Sequence, residues 1–200
     1  MVNRIIISLL FALISMVLIP QTKVNAESLN HLAFKGIPIN GTLNEYTIKM
    51  QQNGFVLIHK DDGYAMFNGD FAAYKNCVIA VSTLKQKDMI CKISVIFPEC
   101  NTWSSLSSNY FSLKEMLTEK YGKPSDCTET FQSIYQPKDD SSKMHEVMFD
   151  KCKYYSIYET KDGDIELSIR HDGVRSCFVT LVYYDKINCD IIRAKAMNDI

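Results

Sequence analysis

The sequence predicts an α+β protein: a tandem, duplicated pair of units, each a helix followed by a four-stranded antiparallel sheet, with a C-terminal helix added. Three observations lead there. Six of the eight glycines follow Asn or Asp, and such dipeptides accept the positive φ angles of tight turns and helix ends. Between them lie short runs that alternate apolar and polar residues, the period of a strand with one buried face. Two longer stretches instead repeat apolar residues at helical spacing.

The chain opens with Met1-Val-Asn-Arg4, a short basic start, and continues through fifteen mostly apolar residues from Ile5 to Ile19. Val24-Asn25-Ala26 follows as an A-x-A-like site. The pattern predicts a secretory signal peptide over 1–26 and an exported product, periplasmic or secreted. Because the apolar run is shorter than the ~20 residues a spanning helix needs, cleavage is favoured over a retained anchor. The chain carries 22 basic and 23 acidic residues; without Arg4 and Lys23 the balance is 20 to 23, a net charge of −3. No basic cluster concentrates charge, which argues against a nucleic-acid partner.

A first unit is expected over 27–100. Thr42-Leu-Asn-Glu45 is a capping box that opens a helix, with Leu43, Tyr46 and Met50 on one face and Gly54 as its stop. Strands follow at Phe55–His59, Tyr64–Asn68, Cys77–Leu84 and Met89–Phe97. A second unit is expected over 101–200. Its helix runs from Trp103 to Tyr121 on Leu106, Tyr110, Leu113 and Leu117, and ends before Gly122 and Pro124. Trp103 is expected to pack where the chain enters that helix. Strands follow at Asp126–Gln132, Cys152–Glu159, Asp164–Arg170 and Cys177–Tyr184, then a helix with Ile187, Ile191 and Ala194 on one face. The hairpins beginning at Cys77 and at Asp164 overlay, with Cys91 and Cys177 in register, and this suggests duplication. Strand composition alone is the alternative source of such a likeness.

Odd-numbered residues form the more apolar strand face: Met89, Cys91, Ile93, Val95 and Phe97, then Ile165, Leu167 and Ile169, then Cys177, Val179, Leu181 and Tyr183. That face is expected against the helices. The even face mixes polar and aromatic residues, and Tyr154 and Tyr158 are assigned to it. Tyr154, Tyr158, Arg170 and Phe178 are therefore the candidate binding residues, since Tyr and Arg favour interface hot spots.

No motif assigns catalysis. The seven cysteines contain no CxxC, and several alternate along strands as small hydrophobes do, so buried thiols are favoured over bridges. His145-Glu146 begins like HExxH, but Phe149 stands where the second ligand belongs. Asp-Gly pairs at 62, 162 and 172 read as turns rather than calcium loops. Neither a metal nor a cofactor is expected.

Phe34-Lys-Gly-Ile-Pro-Ile-Asn-Gly41, Ile96-Phe-Pro98 with Thr102-Trp-Ser-Ser-Leu106, Leu113 through Pro124, and Lys151-Cys-Lys-Tyr-Tyr-Ser-Ile-Tyr158 resemble a family of small exported proteins of Gram-negative gut anaerobes. The tandem arrangement more distantly resembles the β-lactamase inhibitory protein and small envelope-assembly lipoproteins, although no lipobox cysteine is present. The resemblance implies export and an α+β fold, and carries over no catalytic residue. The expected function is a non-enzymatic binding module of the cell envelope, its partner a protein, peptide or glycan. The alternative is an envelope hydrolase with a Cys/His or His/acid site assembled by the fold.

Overall fold

The computed structural model describes residues 30–84, 87–173 and 176–198; the expected signal peptide, 1–26, lies outside them. β1 (Ala33–Phe34) and β2 (Ile37–Pro38) make a small hairpin ahead of α1 (Leu43–Gln52). β3 (Val56–Asp61), β4 (Tyr64–Phe71), β5 (Tyr74–Leu84) and β6 (Lys87–Ile96) come next. α2 (Trp103–Tyr121) precedes β7 (Asp126–Phe131), α3 (Asp140–Met148), β8 (Cys152–Glu159), β9 (Gly163–Asp172), β10 (Ser176–Asp185) and α4 (Lys186–Asn198). β3 to β10 form one antiparallel sheet ordered β3-β4-β5-β6-β10-β9-β8-β7. The protein is thus α+β with an antiparallel sheet and a C-terminal helix. Among the described residues, no helix is long and apolar enough to cross a membrane.

Local chemistry explains each helix start. Thr42 and Glu45 close a reciprocal capping box on α1, satisfying amides that have no intrahelical partner. α2 starts with the Thr102 hydroxyl accepting from the Ser105 amide. Its next free amides, Trp103 and Ser104, both donate to the Asp140 carboxylate at 2.8 Å. The first residue of α3 therefore holds the N-terminus of α2, and the negative charge suits that helix end.

α1 packs on β3 to β6, and α2 on β8 to β10. Under them Ile93, Val95, Phe97, Ile165, Leu167, Ile169, Cys177, Val179, Leu181 and Tyr183 are buried, as the odd-face reading expects. That reading fails at the start of β6. Lys92 pairs with Ser82 and Ile90 with Thr83, so Cys91 is an extra, bulged residue. The bulge turns Ile90 into the core, where it is fully buried, and leaves Met89 and Cys91 half-buried. Trp103 packs against Phe131 and Tyr154 with ring centroids 4.9 and 5.0 Å apart.

Three further expectations change. Asn68-Gly69 lies inside β4 rather than at a turn: a Cβ on Gly69 would come within 2.4 Å of the Phe55 ring, so glycine is needed for close packing. Among the described side chains of α4 the buried one is Asn188, which donates to the carbonyls of Ile39 (3.0 Å) and Ile90 (2.7 Å). Ile191 and Ala194 of the expected apolar face are exposed. Finally α3, with Met144 and Val147 buried, is a helix the sequence reading does not include.

Candidate functional site

Register decides which of the predicted residues share a surface. β8 and β9 pair as Ser156↔Leu167, Ile157↔Glu166 and Tyr158↔Ile165. Even residues of β8 therefore share a face with odd residues of β9, and Tyr154 and Tyr158 lie on the helix-covered side. This corrects their assignment beside Arg170 and Phe178. Tyr158 is 1 % exposed, and its hydroxyl donates to the Lys114 carbonyl at 3.1 Å and lies 3.0 Å from the Thr118 hydroxyl. Tyr154 is half-buried against Trp103 and Phe131.

Arg170 and Phe178 do oppose one another across β9 and β10 on the other face, but they line separate hollows. Phe178 joins Met66, Val78 and Ile96. Arg170 lines a groove of about 440 Å³ that follows β8 and β9, a volume within the ~300–1,000 Å³ typical of ligand sites. Asp126, Ile157 and Glu166 lie in this groove with Tyr155 and Lys153, and it reaches Asp150, Cys152, His171 and Tyr154, so Tyr154 borders the same groove as Arg170 although it lies on the other face of the sheet.

The groove is ordered by its own side chains. Arg170 folds back along β9, its Nε donating to Ser168 Oγ at 3.1 Å and its Nη2 to Glu166 Oε1 at 2.8 Å. Ser168 in turn meets the Thr180 hydroxyl at 3.0 Å, and both hydroxyl residues are buried. Tyr155 donates to Asp126 at 3.1 Å. A guanidinium held flat this way retains unspent donors in a fixed orientation.

At its far end the sheet forks. The β8–β9 ladder stops at Tyr155↔Ser168, whereas β7–β8 continues to Phe131↔Cys152 and β9–β10 to Asp172↔Ser176. Cys152 and His171, opposite one another by extension of the register, lie beyond the last rung. α3 delivers Asp150 to this point. The Asp150 amide donates to the Val147 carbonyl and the Lys151 amide to that of Glu146, the paired bonds of a helix end that usually has glycine in the left-handed position. Here an aspartate occupies it, with φ 59°, and its carboxylate lies 3.0 Å from His171 Nε2. His171 Nδ1 lies 2.8 Å from the Gly173 carbonyl. The Asp150 bond, then the Gly173 bond, raise the His171 pKa, and the His171 contact lowers that of Asp150.

Beside α3, the loop after β7 presents Ile134 and Tyr135 at 95 % and 89 % exposure. The loop is held by Gln136, which donates to the Phe131 and Ser133 carbonyls at 3.1 Å, and by Ser133 bonded to Glu146. Two large apolar side chains on a pinned loop are a surface feature that favours a docking role.

This geometry does not favour nucleophilic catalysis at the groove. Cys152 and His171 both line it, yet burial pushes the Cys152 thiol up to about 12, away from the thiolate that chemistry requires. Both His171 ring nitrogens are already engaged. The other imidazoles lie elsewhere: His31 on Asp185, His59 on Tyr64, and His145 stacked on Phe149, the residue in the second ligand position of HExxH. Among the described residues, no three His, Cys, Asp or Glu side chains group as metal ligands would.

Sequence reasoning missed Asp150, Lys153 and Tyr155. Asp139 and Ser142, followed by Met144 and Val147 at helical spacing, were a signal for α3 and hence for the turn that places Asp150. Comparisons with family models, curated proteins and solved structures found no match for this chain.

Proposed function

We propose that the protein is an exported, non-enzymatic binding module of the cell envelope whose ligand is an extended peptide segment of a protein partner, seated along β8 and β9. The observation that carries this is the fork beside the Arg170–Ser168–Glu166 rail. Backbone groups beyond the last β8–β9 rung suit another peptide backbone, as in strand-addition complexes, and the ordered side chains reduce the entropy cost of binding. Ile134 and Tyr135 give the partner an apolar foothold at the same end.

The test is a screen of the purified chain against peptide arrays and immobilised envelope glycans, with an R170A/Y155A variant as control. The reading expects a peptide retained by the wild-type chain and lost by the variant at unchanged Tm. Equal retention by both puts the contact elsewhere, and retention of glycan alone replaces the peptide reading.

We also infer that the two halves are a duplicated unit, α1 with β3 to β6 and α2 with β7 to β10, meeting across β6 and β10. The shared order of elements supports this, with α3 as an insertion in the second copy.

A further inference from the structure

A second cluster of reactive side chains lies on the opposite, helix-covered side of the sheet. Cys127 sits on β7 opposite Ser156, so its side chain points toward α2. Its Sγ accepts from Lys114 Nζ at 3.2 Å and lies 3.4 Å from Ser156 Oγ. Lys114 also bonds Glu129, whose carboxylate is 3.7 Å from the same sulfur. Ser156 is held in turn by the Tyr110 hydroxyl at 2.8 Å.

Exposure separates this thiol from the other six. Cys127 is exposed, whereas the rest are buried or half-buried. Burial raises the pKa of each of those six, Cys152 to about 12 and Cys189 to about 11. Lys114 also lines an open surface hollow with Phe111, Glu115, Thr118 and Glu119, so a small reagent has access to the pair. A thiol beside an ammonium group, open to solvent, is the environment in which cysteines oxidise selectively.

We propose that Cys127 and Lys114 form an oxidative modification site, where one equivalent of hydrogen peroxide or an organic hydroperoxide joins them through a sulfur–nitrogen bond. The Cys127 thiolate attacks the peroxide, the O–O bond breaks, and the sulfur becomes a sulfenic acid as hydroxide or alkoxide leaves. The Lys114 ammonium gives a proton, by way of Glu129, to that base, which departs as water or alcohol. Its nitrogen then attacks the sulfenic sulfur, the S–O bond breaks, and a second water departs with the remaining proton. Sulfur loses two electrons, the peroxide gains them, and the product is a sulfenamide that ties edge strand β7 to α2.

Peptide mass spectrometry of the intact chain after titration with one equivalent of hydrogen peroxide tests this. The expected product is a cross-linked peptide containing Lys114 and Cys127, lighter by two hydrogens and reversed by dithiothreitol. K114R should abolish the cross-link and leave Cys127 as a sulfenic acid that dimedone traps, with unchanged thermal melting. The proposal is overturned if wild-type Cys127 accumulates as sulfenic acid as fully as in K114R. It is equally overturned if the two hydrogens are lost in a disulfide, or if another cysteine oxidises first.

Discussion

Asp185 and His31 are 154 residues apart in sequence, yet His31 Nδ1 lies 3.0 Å from the Asp185 carboxylate. The same carboxylate, fully buried, accepts from the Leu32 amide at 2.7 Å and the Asn188 amide at 2.9 Å. One side chain therefore anchors the segment before β1, ends β10 and caps α4. Asp185→Ala strips an acceptor from three groups at once, and urea unfolding should show a loss of about 3–5 kcal/mol. His31→Ala leaves both amides satisfied and should cost about 1 kcal/mol. Equal losses would mean that the His31 contact, rather than the amide acceptor, holds the junction.

Gly163 begins β9, and a Cβ there would stand 2.1 Å from the Tyr184 carbonyl. Backbone cannot move aside as a flexible side chain can. Gly163→Ala should destabilise by at least about 2 kcal/mol, whereas Gly54→Ala, with open space around its Cβ, should cost only the price of its positive φ, about 1 kcal/mol. Thermal melts of the two variants give the comparison directly.

The His171–Asp150 pair should make stability depend on pH in a defined window. His171 is raised in the fold, so its contribution is full below the unfolded value of about 6.5 and fades as pH rises through the higher folded value. Asp150 is lowered, so its contribution is full above about 3.9 and fades as pH falls through the lower folded value. Between these limits both groups favour the fold. D150N should lower Tm more at pH 5.5 than at pH 8.5; the same drop at both would separate the pair from the titration.

Native-state thiol labelling should find one fast cysteine. Cys127 is exposed while the other thiols are wholly or partly withdrawn from solvent, so C127S should remove the fast phase from a disulfide-exchange assay. A fast phase that survives in C127S would show that another thiol opens to solvent.

Much of the fold was legible because its signals are local. The Thr42–Glu45 capping box opens α1, Trp103 to Tyr121 bounds α2, and Cys152 to Glu159 bounds β8, each as read from spacing. What failed depends on pairing between segments. The turn around Thr160 to Asp162 sets which residue of β8 opposes which residue of β9, and no periodicity within either strand reveals it. Parity within β8 therefore puts Tyr154 and Tyr158 on the wrong face; Tyr154 still borders the groove beside Tyr155, whereas Tyr158 does not. The bulge at Cys91 has the same origin, since one extra residue reverses parity without a compositional mark. Arg170 was found because its strand needed no such correction.

Peptide binding along β8 and β9 requires the fork between them to be open, and residue-resolved amide hydrogen exchange reads that opening in solution. In the free chain the Tyr154 and His171 amides should exchange much faster than those of Ser156 and Leu167 in the same strands. A peptide retained by the array screen should then slow the first two selectively. Uniformly slow exchange in the free chain would mean that the ladder is closed and the groove has no backbone to offer a ligand.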